Sequence, residues 1–340
     1  MPLGWGIVSA GNHPNSIMAP AINAAKAANL AAVYARDMGR AKEFAGRHGA
    51  GAGYDSFEDF LKDPGVDVVY IASPNSLHCG QTVQAARAGK HVLCEKPMAL
   101  TIKDCQEMVD VCAHEGVKLG IAFQARQHPG TREARRLVGS GALGSVALAH
   151  AQWGYGEPGL VKPTVRTGLR EWWERPDLVG AGTFMGNGVH GADQLRYVLD
   201  SEVTEVTAVT DGQTDAQPLE HLATLLLRFA NGTIGILVSG RRLPYNRPDL
   251  AVYGSRGRVI ASGGQTSWAG SLEVVEEGKE RTEGYGRDDG NVYVNLVEDF
   301  NRAVEEDGQP EATGLDGLKV VQITLAMVES AKTGKLVKPA

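Results

Sequence analysis

What most constrains this chain is an alternation that fills roughly its first 125 residues, where short apolar runs and helical patterns take turns at the spacing of βαβ units. The apolar runs are Gly4 to Ala10, Leu30 to Ala35, Val66 to Ala72, His91 to Cys94 and Lys118 to Phe123. They are close to continuous in apolar residues, as parallel strands covered on both faces require. Helical patterns lie between them at Ile17 to Ala28, Arg40 to His48, Ser56 to Lys62, Gln81 to Ala88 and Ile102 to Glu115. Ser56 and Thr101 stand where N-caps belong, and Gly89 and Gly116 stand where helices stop. The pattern predicts an α/β Rossmann domain, a doubly wound parallel sheet, over residues 1–124.

After residue 124 the rhythm changes. Thr131 to Gly139 reads as a helix and Val146 to Trp153 as a strand. An irregular aromatic segment follows from Gly154 to Pro176, then a helix from about His190 to Leu199. Further strands are expected at Glu202 to Thr210, His221 to Phe229, Thr233 to Ser239, Asp249 to Tyr253 and Arg258 to Ala261. Asn231-Gly232 marks a hairpin between two of them. Helices Val292 to Glu306 and Leu315 to Thr333 end the chain. Residues 125–340 therefore read as a second, α+β domain with an open, mostly antiparallel sheet, its last helix packing back on the first domain. A length of 340 residues suits two such domains.

Composition excludes several classes. The net charge is −6 and no basic stripe occurs, which argues against nucleic acid as a partner. No apolar run is long enough to span a membrane, and the opening Met-Pro-Leu-Gly-Trp lacks a basic, then apolar leader. A cytoplasmic location is expected. The four cysteines form no C-x-x-C pair and read as reduced thiols. His78, Cys79, His91 and Cys94 do not have the spacing of a common zinc site, and no metal is expected.

Three places carry chemistry in the first domain. The loop after the first strand presents Ser9, Gly11 and Pro14 where a dinucleotide cradle has its three glycines. It is either a pyrophosphate cradle or an ordinary strand-to-helix turn. The second strand ends Tyr34-Ala35-Arg36-Asp37, where Arg36 suits a 2′-phosphate and so NADP. With Asp37 on the ribose instead, the cofactor is NAD. Glu95-Lys96-Pro97 follows the fourth apolar run, at the sheet edge where ligands bind. Lys96 there is either a group that holds or trades a proton with a substrate hydroxyl, or a surface lysine before a turn proline.

Glu95-Lys96-Pro97, together with Pro74-Asn75-x-x-His78 and Gly89-Lys90-His91-Val92, resembles the glucose–fructose oxidoreductase / inositol dehydrogenase (Gfo/Idh/MocA) family over essentially the whole chain. The first third is most similar to dimeric dihydrodiol dehydrogenases, through Trp5-Gly-Ile-Val-Ser-x-Gly11 and Ala35-Arg-Asp-x-x-Arg-Ala-Lys-Glu-Phe-Ala45. The resemblance implies an NAD(P)-dependent dehydrogenase or reductase. Such an enzyme moves a hydride between nicotinamide and a hydroxyl-bearing carbon of a sugar, cyclic polyol or dihydrodiol. It implies cofactor contacts from Ser9, Gly11, Asn12, Arg36, Ser73, Pro74, Asn75, His78, Glu95, Lys96 and Gln124. The family's second signature matches Gly180 to Asp193 and makes Lys96, His190 and Asp193 catalytic, with His190 as acid or base. Judged alone, His190 is equally a capped residue at a helix start. Arg126, Trp153, Trp173 and Asn187 are the expected substrate contacts, and a homodimer or homotetramer is expected. Two positions depart from the signature: Ala181 stands for its second glycine, and Gly186 for its usual Asp. The missing carboxylate keeps open a nicotinamide-assisted sugar elimination or hydrolysis with retained cofactor. A non-catalytic, nicotinamide-binding regulator ranks last, because Lys96 and His190 are both present.

Overall fold

A computed structural model describes residues 2–160, 162–244, 249–263, 270–286 and 290–340. The chain forms two compact units, Met1–Gln124 with Asn291–Leu318, and Ala125–Gly290 with Lys319–Ala340.

In the first unit the strands are β1 (Leu3–Val8), β2 (Ala28–Tyr34), β3 (Ala52–Tyr54), β4 (Val68–Ile71), β5 (His91–Cys94) and β6 (Leu119–Ile121). All pair in parallel, in the order β3-β2-β1-β4-β5-β6, the doubly wound Rossmann arrangement. Helices α1 (Ala19–Ala24), α2 (Met38–His48), α3 (Phe57–Lys62), α4 (His78–Arg87) and α5 (Ile102–His114) connect them. Every residue of β4 is buried, which explains its unbroken apolar run. Ser56 caps α3 and Thr101 caps α5, each accepting from the backbone N–H three residues on.

The first helix differs from expectation. A π-helical turn over Pro14–Met18 leads into α1, which ends at Ala24 rather than Ala28. Pro14 is tolerated because a first helical turn has no use for its missing N–H. The early stop follows from sheet pairing: Leu3 N donates to Ala27 O at 2.9 Å, and Leu3 registers with Ala28. Strand β3 was not expected. It is three half-buried residues long, and Gly53 is required where a side chain would strike the backbone of Ala41 in α2.

The second unit contains α6 (Pro129–Gly139), β7 (Val146–Gly154), a short α7 (Pro176–Val179) and α8 (Val189–Leu199). Seven more strands follow: β8 (Val203–Thr210), β9 (Leu222–Phe229), β10 (Ile234–Gly240), β11 (Asp249–Gly254), β12 (Gly257–Ser262), β13 (Gly270–Glu276) and β14 (Lys279–Tyr285). They form one sheet in the order β14-β13-β12-β11-β7-β10-β9-β8. Only β7 and β10 run parallel; the other pairings are antiparallel. Asn231-Gly232 turns β9 into β10, with Gly232 at φ 89. Strands β13 and β14 were not expected; the residues of β14 are mostly exposed and charged and lack the apolar alternation of a half-buried strand. One face of the sheet buries Ala149, Ala151, Leu225, Leu227 and Leu237. The opposite face presents Val209, Leu226 and Tyr253 at 75%, 53% and 39% exposure.

The chain ends in α9 (Val292–Glu305) and α10 (Gly314–Thr333). The expected continuous second domain over 125–340 is interrupted, because Asn291–Leu318 belongs to the first unit. It is α9, and not the last helix as a whole, that completes the first core. The buried stripe Leu296, Val297 and Phe300 packs there, and Phe300 meets Trp5 edge-on at 5.7 Å. Trp5 Nε1 donates to Asn301 Oδ1 at 3.0 Å, and Asn301 Nδ2 donates to the carbonyls of Lys26 and Ala27. Among the described residues no helix is long and apolar enough to cross a membrane.

Candidate active site

In the first unit the sequence-predicted residues gather at the carboxyl edge of the parallel sheet. Ser9 leaves β1 in the left-handed region at φ 96, a conformation that normally needs glycine. A side chain at Gly11 would press on Ser9 Oγ at 3.3 Å, so Gly11 keeps the loop open. The loop runs into a π-helical turn at Pro14, with Asn15 N donating to Gly11 O at 3.1 Å, and a helix start after the first strand is where a dinucleotide pyrophosphate binds. Asn12 is exposed beside it. These residues fit a nicotinamide dinucleotide.

At the end of β2, Arg36 is exposed. Asp37 caps α2, accepting from Arg40 N at 2.8 Å. Arg40 was not singled out from sequence, yet its NH2 reaches Ala10 O at 3.0 Å, which sets a second guanidinium against the loop after β1. The signal was present in the sequence, since a residue three after an N-cap lies in the first helical turn.

After β4, Ser73 donates to Gln81 Oε1 at 2.6 Å, Pro74 is half-buried, and Asn75 is 2% exposed. His78, expected against the cofactor, is 1% exposed. Its Nδ1 lies 2.9 Å from Pro97 O and its Nε2 2.9 Å from Ser73 O. His78 therefore ties the segment after β4 to the segment after β5. It cannot join Cys79, His91 and Cys94 around a zinc ion, and His91 Nδ1 accepts from Lys118 N. The four cysteines are free thiols.

Lys96 lies just beyond β5, its side chain 16% exposed and its Nζ 4.0 Å from Glu95 Oε2. Burial lowers its pKa, and Glu95 opposes that shift. Glu95 in turn accepts from the Tyr70 hydroxyl at 2.5 Å. Gln124, beyond β6, is 5% exposed.

In the second unit the glycine-rich signature is organised by a residue that sequence reasoning missed. Glu220 is fully buried and takes the N–H of Gly182 on one carboxylate oxygen and that of Phe184 on the other, both at 2.8 Å. Its carbonyl accepts from Thr183 N, and Gln213 Nε2 donates to Oε2 at 2.5 Å. Gly182 is obligatory, for a Cβ there would stand 2.0 Å from Glu220 O. A glutamate at a strand entrance carries no sequence signal for this task.

The signature then passes through a π-helical turn, Phe184–Gly188, into α8. His190 on α8 is 3% exposed, and its ring stacks on Trp153 of β7 at 4.5 Å and 17°. Asp193, one turn on, receives Arg126 Nε at 2.8 Å and Arg126 NH2 at 2.5 Å. Arg126 was expected to meet substrate. It is 4% exposed and also lies 4.9 Å over the Tyr197 ring, so it works as a buried brace for Asp193. His128 likewise has a structural task, with Nδ1 accepting from Gly130 N to cap α6.

Gly186 is filled from outside. A Cβ there would lie 2.8 Å from Cζ3 of the Trp173 indole. Trp173 stacks on Trp172 at 4.3 Å, and the Arg166 guanidinium lies 5.0 Å over its ring. Asn187 beside it is half-buried.

Comparison with known proteins follows the same division. Residues 3–123 match the model of an oxidoreductase family with an NAD-binding Rossmann fold, and residues 131–260 match the GFO/IDH/MocA C-terminal domain. The chain is 30% identical over 335 residues to a 1,5-anhydro-D-fructose reductase of Ensifer adhaerens, covering 97% of each. It is 36% identical over 155 residues to a trans-1,2-dihydrobenzene-1,2-diol dehydrogenase of Macaca fuscata fuscata, covering 45% of this chain and 46% of that one. Among solved structures, an aldose-aldose oxidoreductase from Caulobacter crescentus complexed with glycerol superposes with a TM-score of 0.88. It is 28% identical and covers 99% of this chain and 100% of the other.

Proposed function

This chain belongs to the Gfo/Idh/MocA oxidoreductase family, and on that premise we propose that it moves a hydride between NADP and a hydroxyl-bearing carbon of a sugar, cyclic polyol or dihydrodiol. The observation that carries the reading is Lys96, a largely buried amine beside Glu95 at the carboxyl edge of the dinucleotide sheet. Nicotinamide, when bound, supplies the hydride acceptor or donor.

The chain's own residues do the rest. Ser9, Gly11 and Asn12 hold the pyrophosphate, and Ser73, Pro74, Asn75 and Gln124 line the way to the nicotinamide end. Arg36 and Arg40 pair with the 2′-phosphate, which supports NADP over NAD. His78 acts by holding the two neighbouring loops together. Lys96 takes the hydroxyl proton in oxidation and returns it in reduction. Its lowered pKa raises the share of neutral amine able to accept that proton. His190, set by its stack on Trp153, is the second acid–base group, and Asp193 and Arg126 fix the helix face that carries it. Trp173 gives an apolar ring face where Gly186 has no side chain, and Asn187 offers a polar contact beside it. Like the site, the assembly is a proposal: the sheet face bearing Val209, Leu226 and Tyr253 pairs copies into a homodimer or homotetramer.

The test is a fluorescence titration with NADPH and NADH, repeated with 1,5-anhydro-D-fructose, aldoses, cyclic polyols and a dihydrodiol as second ligands. Tighter NADPH binding, together with turnover of one panel member, is the expected result. Binding of neither cofactor removes the oxidoreductase reading for this chain.

A further inference from the structure

Behind Lys96 stands a line of groups that the proposed chemistry has not used. Tyr70, on the central strand β4, is fully buried, and its hydroxyl donates to Glu95 Oε1 at 2.5 Å. The same hydroxyl lies 3.1 Å from His13 Nδ1. His13 belongs to the loop after β1, and its side chain is 40% exposed, against 13% for Glu95 and 16% for Lys96. Glu95 Oε1 is 3.8 Å from His13 Nδ1, and Glu95 Oε2 is 4.0 Å from Lys96 Nζ. Polar atoms thus run from a buried amine to a ring that reaches solvent, all within the first unit.

A buried tyrosine on a central strand needs one partner for its hydroxyl. This one has two, and each bears a titratable group. A phenylalanine would serve the core as well. From this geometry we infer that Lys96, Glu95, Tyr70 and His13 form a proton relay that connects the reacting hydroxyl with bulk water. The inference rests on the proton role proposed above for Lys96.

The transfer balances without a further reagent. In reduction the Lys96 ammonium gives its proton to the substrate oxygen and becomes an amine. In one concerted shift the Tyr70 hydroxyl proton moves to the ionised Glu95 carboxylate, which delivers a proton to that amine and returns to carboxylate, while the His13 Nδ1–H proton restores the tyrosine. His13 Nε2 then takes a proton from water. Oxidation runs the same shifts outward. The resting polarity, with Tyr70 donating to Glu95, is the inward one.

The groups facing His13 are Tyr70, Glu95, Lys96 and the Tyr293 ring, which meets it edge-on at 5.6 Å. Burial and Lys96 lower the His13 pKa, while Glu95 raises it. A ring neutral at physiological pH can both give and take a proton, which suits the solvent end of a relay. Tyr70 has its pKa raised far above the ordinary phenol value, so it passes protons in concert and does not rest as phenolate.

Two readouts test the relay, and one needs no substrate. Labelling of Lys96 by acetic anhydride is followed by peptide mass spectrometry across pH in the wild type, His13→Gln and Tyr70→Phe. The wild-type profile should carry a second inflection below 6.5, where His13 titrates, and both variants should lose it. A single-step wild-type profile, or an inflection that survives in either variant, overturns the relay. The second readout is turnover of the panel substrate. His13→Gly should slow it by about tenfold to a hundredfold, with imidazole restoring much of the rate. Tyr70→Phe should slow it as much without rescue, at unchanged NADPH affinity. Normal turnover in His13→Gly, or a loss that imidazole does not repair, overturns the relay alone. Absence of turnover in the wild type instead removes the hydride-transfer reading, and the catalytic use of the relay with it.

Discussion

A single charged group sets most of the chemistry proposed for this chain. Lys96 is held below the ordinary lysine pKa by burial, with Glu95 pulling it back. In the oxidative direction the rate should rise with pH through that lowered value, on a limb that lies below 10.5. Glu95→Gln should move the limb further down, because it removes the group that favours the ammonium. Lys96→Ala should cut kcat by about a hundredfold or more while leaving NADPH affinity near normal, and near-normal turnover would sink the role. His128 makes a separate prediction at the same scale. Burial pushes its pKa from 6.5 to about 4, and its Nδ1 must stay unprotonated to cap α6. Between those values the unfolded chain binds the proton that the folded chain refuses. Stability is therefore full above 6.5 and falls as pH drops toward 4, by about 3 kcal/mol for this group. In His128→Asn, a neutral cap, the fall in Tm over that range should be smaller.

At the scale of elements, the strands of the first unit other than β3 were legible because burial on both faces leaves an unbroken apolar signature, as in β4. What sequence could not show was support that comes from far along the chain. Glu220 lies 38 residues from Gly182, and nothing local marks it as the anchor of the glycine loop. Arg126 and Asp193 were each singled out from sequence, but for other tasks, and their pairing joins residues 67 positions apart. Glu220→Gln keeps the shape and loses the charge that receives three donors. It should cost about 2 kcal/mol, visible as a lower Tm. Gly186→Ala should displace the Trp173 indole, since the new methyl would lie 2.8 Å from Cζ3. The expected readout is a change in tryptophan emission and a raised KM for the panel substrate with kcat less affected. Unchanged emission would show that the indole does not rest there.

For the whole molecule, one face of the eight-stranded sheet carries exposed apolar residues among the described ones, with Leu226 53% exposed on β9, next to the edge strand β8. A charge there should be tolerated by the monomer and not by an assembly. Leu226→Glu should reduce the sedimenting mass while Tm of the isolated chain changes little; an unchanged mass would place the copy–copy contact elsewhere. The mixed sheet was only partly legible, because β14 is polar along nearly its whole length and is a strand by virtue of its neighbour β13. The return of α9 to β1 was not legible at all, since an amphipathic helix does not say which core it will enter. That return has a consequence for how the protein comes into being. The ring of Trp5 waits for Asn301 and Phe300, which a ribosome reaches only after every strand of the second sheet has been made. The cofactor-binding half is thus the first to be started and among the last to be finished, and the nascent chain must carry it open through nearly the whole of its own translation.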